Sequence, residues 1–104
     1  MSQEKELIEK GIKELETTLE LFYQQKNLEA LNGFESVLGK VSSAVDSVFQ
    51  YKESHDDFQF DEEKLTGVLT EAMGALEEND FILMADVLQY DFVEYMNELV
   101  EQME

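Results

Sequence analysis

The sequence predicts an all-α protein, an antiparallel four-helix bundle with up-down-up-down topology, formed by a single domain over residues 1–104. The chain has no proline and only five glycines, so it lacks the punctuation that strands and tight turns usually need. Its apolar residues recur at alternating steps of three and four, which is the spacing of one helix face. Because 43% of the residues are apolar, the chain has enough apolar surface to form a core.

The first two helices follow from two apolar stripes that differ in phase. We expect the first helix to begin near Ser2 as its N-cap, with its inward side chains at Ile8, Ile12, Leu15, Leu19 and Phe22. The stripe ends near Lys26, which predicts a turn there and Asn27 as the cap of the second helix. The second stripe predicts a helix that ends near Glu53, with inward side chains at Leu31, Phe34, Leu38, Val41, Val45 and Val48 and with Phe49 beside the last.

Residues 54–61 have no helical period and predict the one long loop of the chain. Asp61 is expected to cap a third helix that spans about Glu62–Glu78. Its inward positions are expected to be Leu65, Val68, Leu69, Ala72, Met73 and Leu76. Asp80 is expected to cap a fourth helix that runs from Phe81 to about Met103.

The fourth helix carries two apolar stripes, and this is typical of a helix that is buried or bears an interface. One stripe comprises Met84, Leu88, Phe92, Tyr95 and Leu99. The second comprises Leu83, Val87 and Tyr90, beside carboxylates that break the apolar run. We therefore predict a surface that binds a helix or segment of a partner protein, formed by Leu83, Asp86, Val87, Tyr90, Asp91 and Glu94. A symmetric homodimer would bury the same apolar side chains, and Asp86 and Asp91 could also simply face solvent.

The charge of the chain restricts its partners. The formal net charge is -18, and residues 54–104 hold fifteen acidic residues but a single lysine, Lys64. Such a field repels nucleic acid and anionic membranes, and it attracts basic partners. An alternative function is therefore an acidic regulator that mimics nucleic acid and occupies a basic protein site.

Several chemistries lack the residues that they need. The chain has no cysteine, and His55 is its single histidine, so neither a thiolate site nor a histidine-based catalytic set can be assembled. We expect no catalytic, cofactor-binding or metal-binding residues and no enzymatic activity.

No apolar run approaches the ~20 residues that a membrane span needs, and the charged N-terminus is unlike a signal peptide. A cytoplasmic protein is the expectation.

Residues 79–92 read Asn-Asp, an aliphatic run, and then Ala-Asp-x-Leu-x-Tyr-acid, with Ala85, Asp86, Leu88, Tyr90 and Asp91 at the defined positions. This pattern resembles that of an uncharacterised family of small helical domains from Gram-positive bacteria. The resemblance implies a helical fold and no known activity. The size, charge and helicity of the chain are also similar to those of flagellar and type III export chaperones, which is an analogy at the level of the fold.

Overall fold

The computed structural model describes residues 3–103, and this part of the chain is helical with no strand. Helix α1 is Gln3–Tyr23, α2 is Asn27–Ser54 and α3 is Glu62–Glu77. Helix α4 consists of three continuous segments, Phe81–Asp86, Val87–Val93 and Glu94–Glu101, of which the middle one is π-helical. The prediction of an all-helical chain with four helices is confirmed. The expected cap at Ser2 lies outside the described residues.

The two short turns are built in the same way. Gln25 and Asn79 each adopt a left-handed conformation, with φ of 60° and 59°. The next residue's amide then donates to a carbonyl five residues back, from Lys26 to Leu21 and from Asp80 to Ala75, both at 2.9 Å. This is the Schellman closure of a helix end. The prediction for Asn27 was wrong, because α2 already begins at Asn27 and the preceding Lys26 supplies no side-chain cap.

All five inward positions predicted for α1 are buried. The face predicted for α2 was partly wrong, because Leu31 and Phe49 are exposed while Leu38 and Val45 are half-buried. The buried face of α2 is instead formed by Ala30, Phe34, Val41, Ala44, Ser47, Val48 and Tyr51. The physical reason is a close approach of α1, where a Cβ added to Gly11 would lie 3.4 Å from the Ala44 Cβ. Small side chains therefore face α1, and the larger heptad residues are rotated outward.

Helix α4 packs against both α1 and α3, whereas α2 packs along α1 and does not approach α3 closely. The ring of Phe22 stacks on Phe81 at a centroid distance of 5.6 Å, and its other contact is edge-on to Phe34 at 5.4 Å. The start of α4 is thus fixed at the end of α1. At the opposite end, the amide of Asp61 donates to the Tyr95 hydroxyl at 2.8 Å, which joins the start of α3 to the last third of α4.

Side chains of α2 contact the loop between α2 and α3 and fix its position. Phe58 is buried, and its ring meets Tyr51 edge-on at 4.9 Å. The Lys52 ammonium donates to the Phe58 carbonyl at 2.8 Å and to the Asp56 carbonyl at 3.1 Å. Asp61 caps α3 as predicted, since its carboxylate accepts from the Lys64 amide at 3.1 Å. Over the described residues, no helix has the length and apolar character that crossing a bilayer requires.

Candidate protein-binding surface

The start of α4 presents apolar side chains to solvent. Asp80 caps the helix, because its carboxylate accepts from the Leu83 amide at 3.2 Å. This cap fixes the first turn, in which Ile82 is 45% and Leu83 is 44% exposed while Met84 and Ala85 enter the core. Leucine and isoleucine side chains of this exposure, next to each other on one turn, are available to a partner without rearrangement of the fold.

The π-helical segment Val87–Val93 changes which side chains of α4 face the core. In an α-helix of 3.6 residues per turn, Leu83, Val87 and Tyr90 would share one face. The π turn is wider, since its hydrogen bonds run from residue i to residue i+5, and it buries both members of the pairs Val87-Leu88 and Phe92-Val93. Val87 is therefore in the core and does not belong to the predicted surface. Leu83 and Tyr90, which is 61% exposed, stay outside.

Asp86 is engaged with α1. The Tyr23 hydroxyl donates to the Asp86 carboxylate at 2.7 Å, and both residues are half-buried. Burial raises the pKa of the Tyr23 hydroxyl well above its usual range, and the hydrogen bond to Asp86 and its negative charge raise this pKa further. Asp86 thus fastens α4 to α1 between the exposed Leu83 and Tyr90, and its remaining oxygen is the part available to a partner.

Tyr90, Asp91 and Glu94 lie together on the outer side of α4, where all three are exposed. They line a shallow cleft of about 310 Å³ between α3 and α4, together with Lys64, Val68, Tyr95 and Glu98. The Lys64 ammonium lies 4.5 Å from the centroid of the Tyr95 ring, a cation–π contact. The one lysine of the acidic half is therefore placed at this cleft. The sequence reasoning missed Lys64, Val68 and Glu98, because nothing in a one-dimensional pattern shows that α3 lies beside this part of α4.

His55 packs at the C-terminal end of α2 and has a structural role there. Its ring stacks on Tyr51 at a centroid distance of 3.7 Å, and its Nδ1 lies 2.9 Å from the Tyr51 carbonyl oxygen. A carbonyl oxygen only accepts, so Nδ1 carries the hydrogen and the ring closes the end of α2. Within residues 3–103, no group of three or more His, Cys, Asp or Glu side chains is arranged to hold a metal ion.

A family model described as a domain of unknown function (DUF8042) matches residues 1–102. No curated protein and no solved structure matches the chain.

Proposed function

The chain belongs to the DUF8042 family of domains of unknown function, and we propose that this domain is a non-enzymatic interaction module that binds a helix or segment of a partner protein along α4. The observation that carries the proposal is the exposure of Leu83 and Tyr90 on one helix, with carboxylates on either side. Large apolar side chains within a polar rim are typical of protein-binding surfaces.

The charges around these side chains define the partner. Asp80, Asp86, Asp91 and Glu94 lie along the first two-thirds of α4, and no lysine lies on that helix. A partner helix with apolar side chains on one face and lysine or arginine beside them would match this surface. The same charges oppose homodimerisation through α4, because two copies would bring like charges together at close range.

The proposal includes an antiparallel arrangement of the four helices. The contacts of Phe22 with Phe81 and of Asp61 with Tyr95 support helices that alternate in direction, up-down-up-down. In that arrangement α4 lies between α1 and α3 and exposes only its outer side. A partner segment would lie across this outer side. The cytoplasm is the proposed location. A role as an adaptor or chaperone for such a segment is proposed by analogy with export chaperones, on size, charge and helicity alone.

The test uses a synthetic amphipathic peptide of leucine and lysine, labelled with a fluorophore, and measures its binding by anisotropy. Leu83→Ser should weaken binding about tenfold or more, the loss of roughly 1.4 kcal/mol expected for an interface leucine. The matched control is Leu7→Ser, because Leu7 is 46% exposed and Leu83 is 44% exposed. Leu7 lies about 22 Å along α1 from Phe22, at 1.5 Å per residue, and hence far from the start of α4.

The result separates the proposed interaction module from the acidic mimic. Selective loss with Leu83→Ser, in a protein whose circular dichroism is unchanged, supports the proposal. Equal binding by wild type, Leu83→Ser and Tyr90→Ser, together with a steep loss of affinity in salt, would instead support the acidic mimic, whose binding is carried by charge alone. A peptide in which glutamate replaces lysine should not bind, and its binding would count against the proposed partner chemistry.

A further inference from the structure

The π-helical turn of α4 contains one residue more than a regular α-helix would hold there. The buried residues of α4 come in pairs, which are Met84-Ala85, Val87-Leu88, Phe92-Val93, Tyr95-Met96 and Leu99-Val100. From the first member of each pair to the first member of the next, the steps are three, five, three and four residues. One face of an α-helix recurs at steps of three or four, so the step of five, which lies within the π segment, includes an extra residue.

The extra residue lies on the outer side of α4. Three consecutive residues, Gln89, Tyr90 and Asp91, separate the buried pairs on either side of the wide turn, whereas one or two residues separate the other pairs. If the turn became α-helical with all residues retained, the rest of α4 would rotate by one residue, or about 100°. That rotation would turn Asp91, Glu94 and Glu98 toward the core, where carboxylates without partners are costly. The packing of α4 therefore fixes the wide turn as a permanent feature.

Hydrogen bonds on both sides keep the wide turn in place. Before it, the Tyr23 hydroxyl donates to the Asp86 carboxylate at 2.7 Å, and after it, the Asp61 amide donates to the Tyr95 hydroxyl at 2.8 Å. The flanking segments of α4 are thus joined to α1 and to the start of α3. Tyr90 lies between these two fixed points as the middle one of the three outward residues, and it is exposed.

The cleft beside Tyr90 already contains a cation on a tyrosine ring. The Lys64 ammonium lies 4.5 Å from the centroid of the Tyr95 ring, and Tyr95 is otherwise buried, so this ring has no room for a second cation. The Tyr90 ring lines the same cleft and is exposed. The carboxylates that line the cleft are those of Asp91, Glu94 and Glu98. They outnumber the single ammonium, and a tyrosine ring next to carboxylates attracts a cation through its quadrupole and through their charge.

We propose that the π turn presents Tyr90 as the specificity-determining residue of the partner-binding surface, where its ring stacks on an arginine side chain of the partner. This inference rests on the proposed function, because it specifies the chemistry of the partner at that surface. A guanidinium is planar, so it stacks on an aromatic ring while its N–H groups donate to neighbouring carboxylates. A lysine ammonium is more strongly hydrated and gains less from the same site.

The experiment compares the labelled leucine–lysine peptide with a peptide in which arginine replaces every lysine, by anisotropy at one salt concentration. Wild type should bind the arginine peptide about fivefold more tightly, as expected for one cation–π contact. Tyr90→Phe keeps the ring and should keep this preference. Tyr90→Leu keeps an apolar side chain without the ring and should bind the two peptides equally. Leu83→Ser should weaken binding of both peptides by the same factor, because Leu83 contributes an apolar contact alone.

Deletion of Gln89 tests the role of the wide turn. The deletion restores steps of three, four, three and four between the buried pairs, so the variant should remain helical with a urea midpoint at or above that of wild type. Gln89 faces α1, since its side-chain amide donates to the Glu16 carboxylate at 3.3 Å. After the deletion Tyr90 takes the position of Gln89, on the side of α1 and away from the cleft. The preference for arginine should therefore be lost although the ring is still present.

Two controls accompany the deletion. Gln89→Ala removes the same side chain without shortening α4, and it should keep both the urea midpoint and the preference for arginine close to those of wild type. Asn97 is exposed in the α-helical last part of α4, and its deletion would rotate Leu99 and Val100 out of the core. That deletion should lower the urea midpoint strongly, whereas deletion of Gln89 should not.

The outcomes separate this inference from the proposed function. If Tyr90→Leu kept the preference for arginine, or wild type had none, while Leu83→Ser weakened binding, the inference would be wrong and the proposed function would stand. A wild type that bound neither peptide would overturn both. Unfolding on deletion of Gln89, with a normal urea midpoint for Gln89→Ala, would show that the turn holds no extra residue. A folded deletion variant that still preferred arginine would equally overturn the presentation of Tyr90 by the π turn.

Discussion

Replacement of Gly11 by alanine tests the close packing of α1 on α2. A Cβ placed on Gly11 would lie 3.1 Å from the carbonyl oxygen of Lys40 and 3.4 Å from the Cβ of Ala44. The first of these neighbours is helix backbone and the second is the first side-chain atom of a buried residue, so neither can rotate away. The helices would have to separate by a few tenths of an ångström to admit the methyl group.

Two opposing contributions determine how much Gly11→Ala changes the free energy of unfolding. Alanine stabilises a helix interior by about 0.8–1.0 kcal/mol relative to glycine. Overpacking a tight contact costs about 1–3 kcal/mol. We therefore expect Gly11→Ala to lower the free energy of unfolding by roughly 1 kcal/mol, because the contact is with backbone and relaxes poorly. Gly67→Ala is the matched control, since a Cβ there has nothing within 4 Å and should give the full propensity gain. The two variants should differ by about 2 kcal/mol.

The assay is urea unfolding followed by circular dichroism, with the midpoint and slope fitted for each variant. Thermal unfolding should show the same order, with a shift of about 4–8 °C for each kcal/mol in a domain of this size. The measurement is made at low protein concentration, so that self-association does not contribute to stability. If Gly11→Ala proved as stabilising as Gly67→Ala, the close approach of α1 and α2 at this position would be refuted.

Two further predictions concern α4. Tyr23→Phe should destabilise the fold by about 1–2 kcal/mol near neutral pH, because it removes the partner of the half-buried Asp86 carboxylate. The folded state raises the pKa of Tyr23, so this stabilisation is complete below the unfolded pKa of about 10 and is lost as pH rises through the raised folded value. Urea midpoints measured above pH ~10 should therefore fall less steeply with pH for Tyr23→Phe than for wild type. If both midpoints fell equally steeply with pH, the hydrogen bond from Tyr23 to Asp86 would be contradicted. Asp80→Ala should cost about 1 kcal/mol through loss of the helix cap, whereas Asp80→Asn should stay close to wild type. Equal urea midpoints for Asp80→Ala and Asp80→Asn would show that the cap does not contribute.

The helix ends could be predicted from local chemistry, and most of the predicted ends agree with the structure. Asp61 and Asp80 precede apolar periodic segments, and both accept a hydrogen bond from the third residue of the following helix. The turn near Lys26 was also found where the apolar stripe changes phase, although Asn27 does not cap α2. Such features involve residues within about four positions of each other, so their energies are fixed by short-range geometry.

The candidate surface could be predicted only in part. Leu83 and Tyr90 are exposed beside carboxylates, whereas Val87 is buried. The error came from the assumption of a constant helical period, because the π-helical segment changes the rotation between successive residues. Likewise, the heptad residues of α2 were expected to face the core, and Leu31 and Phe49 turned out to be exposed. A repeat of 3.5 residues identifies an apolar face, and it does not say which helix will cover that face.

The sequence by itself determined the helical class, the caps at Asp61 and Asp80, the buried face of α1 and the strong negative charge, because these depend on composition and on neighbours along the chain. Only the tertiary structure decided which of two apolar faces on α2 and α4 became core. That choice depends on how closely other helices approach. Gly11 of α1 has no side chain, so α2 packs closely against it through Ala44, and the hydrogen bond from Tyr23 to Asp86 fixes α4 against α1. These contacts join residues that are 33 (Gly11 and Ala44) and 63 (Tyr23 and Asp86) positions apart, and they select among faces of similar hydrophobicity. No local pattern contains that information.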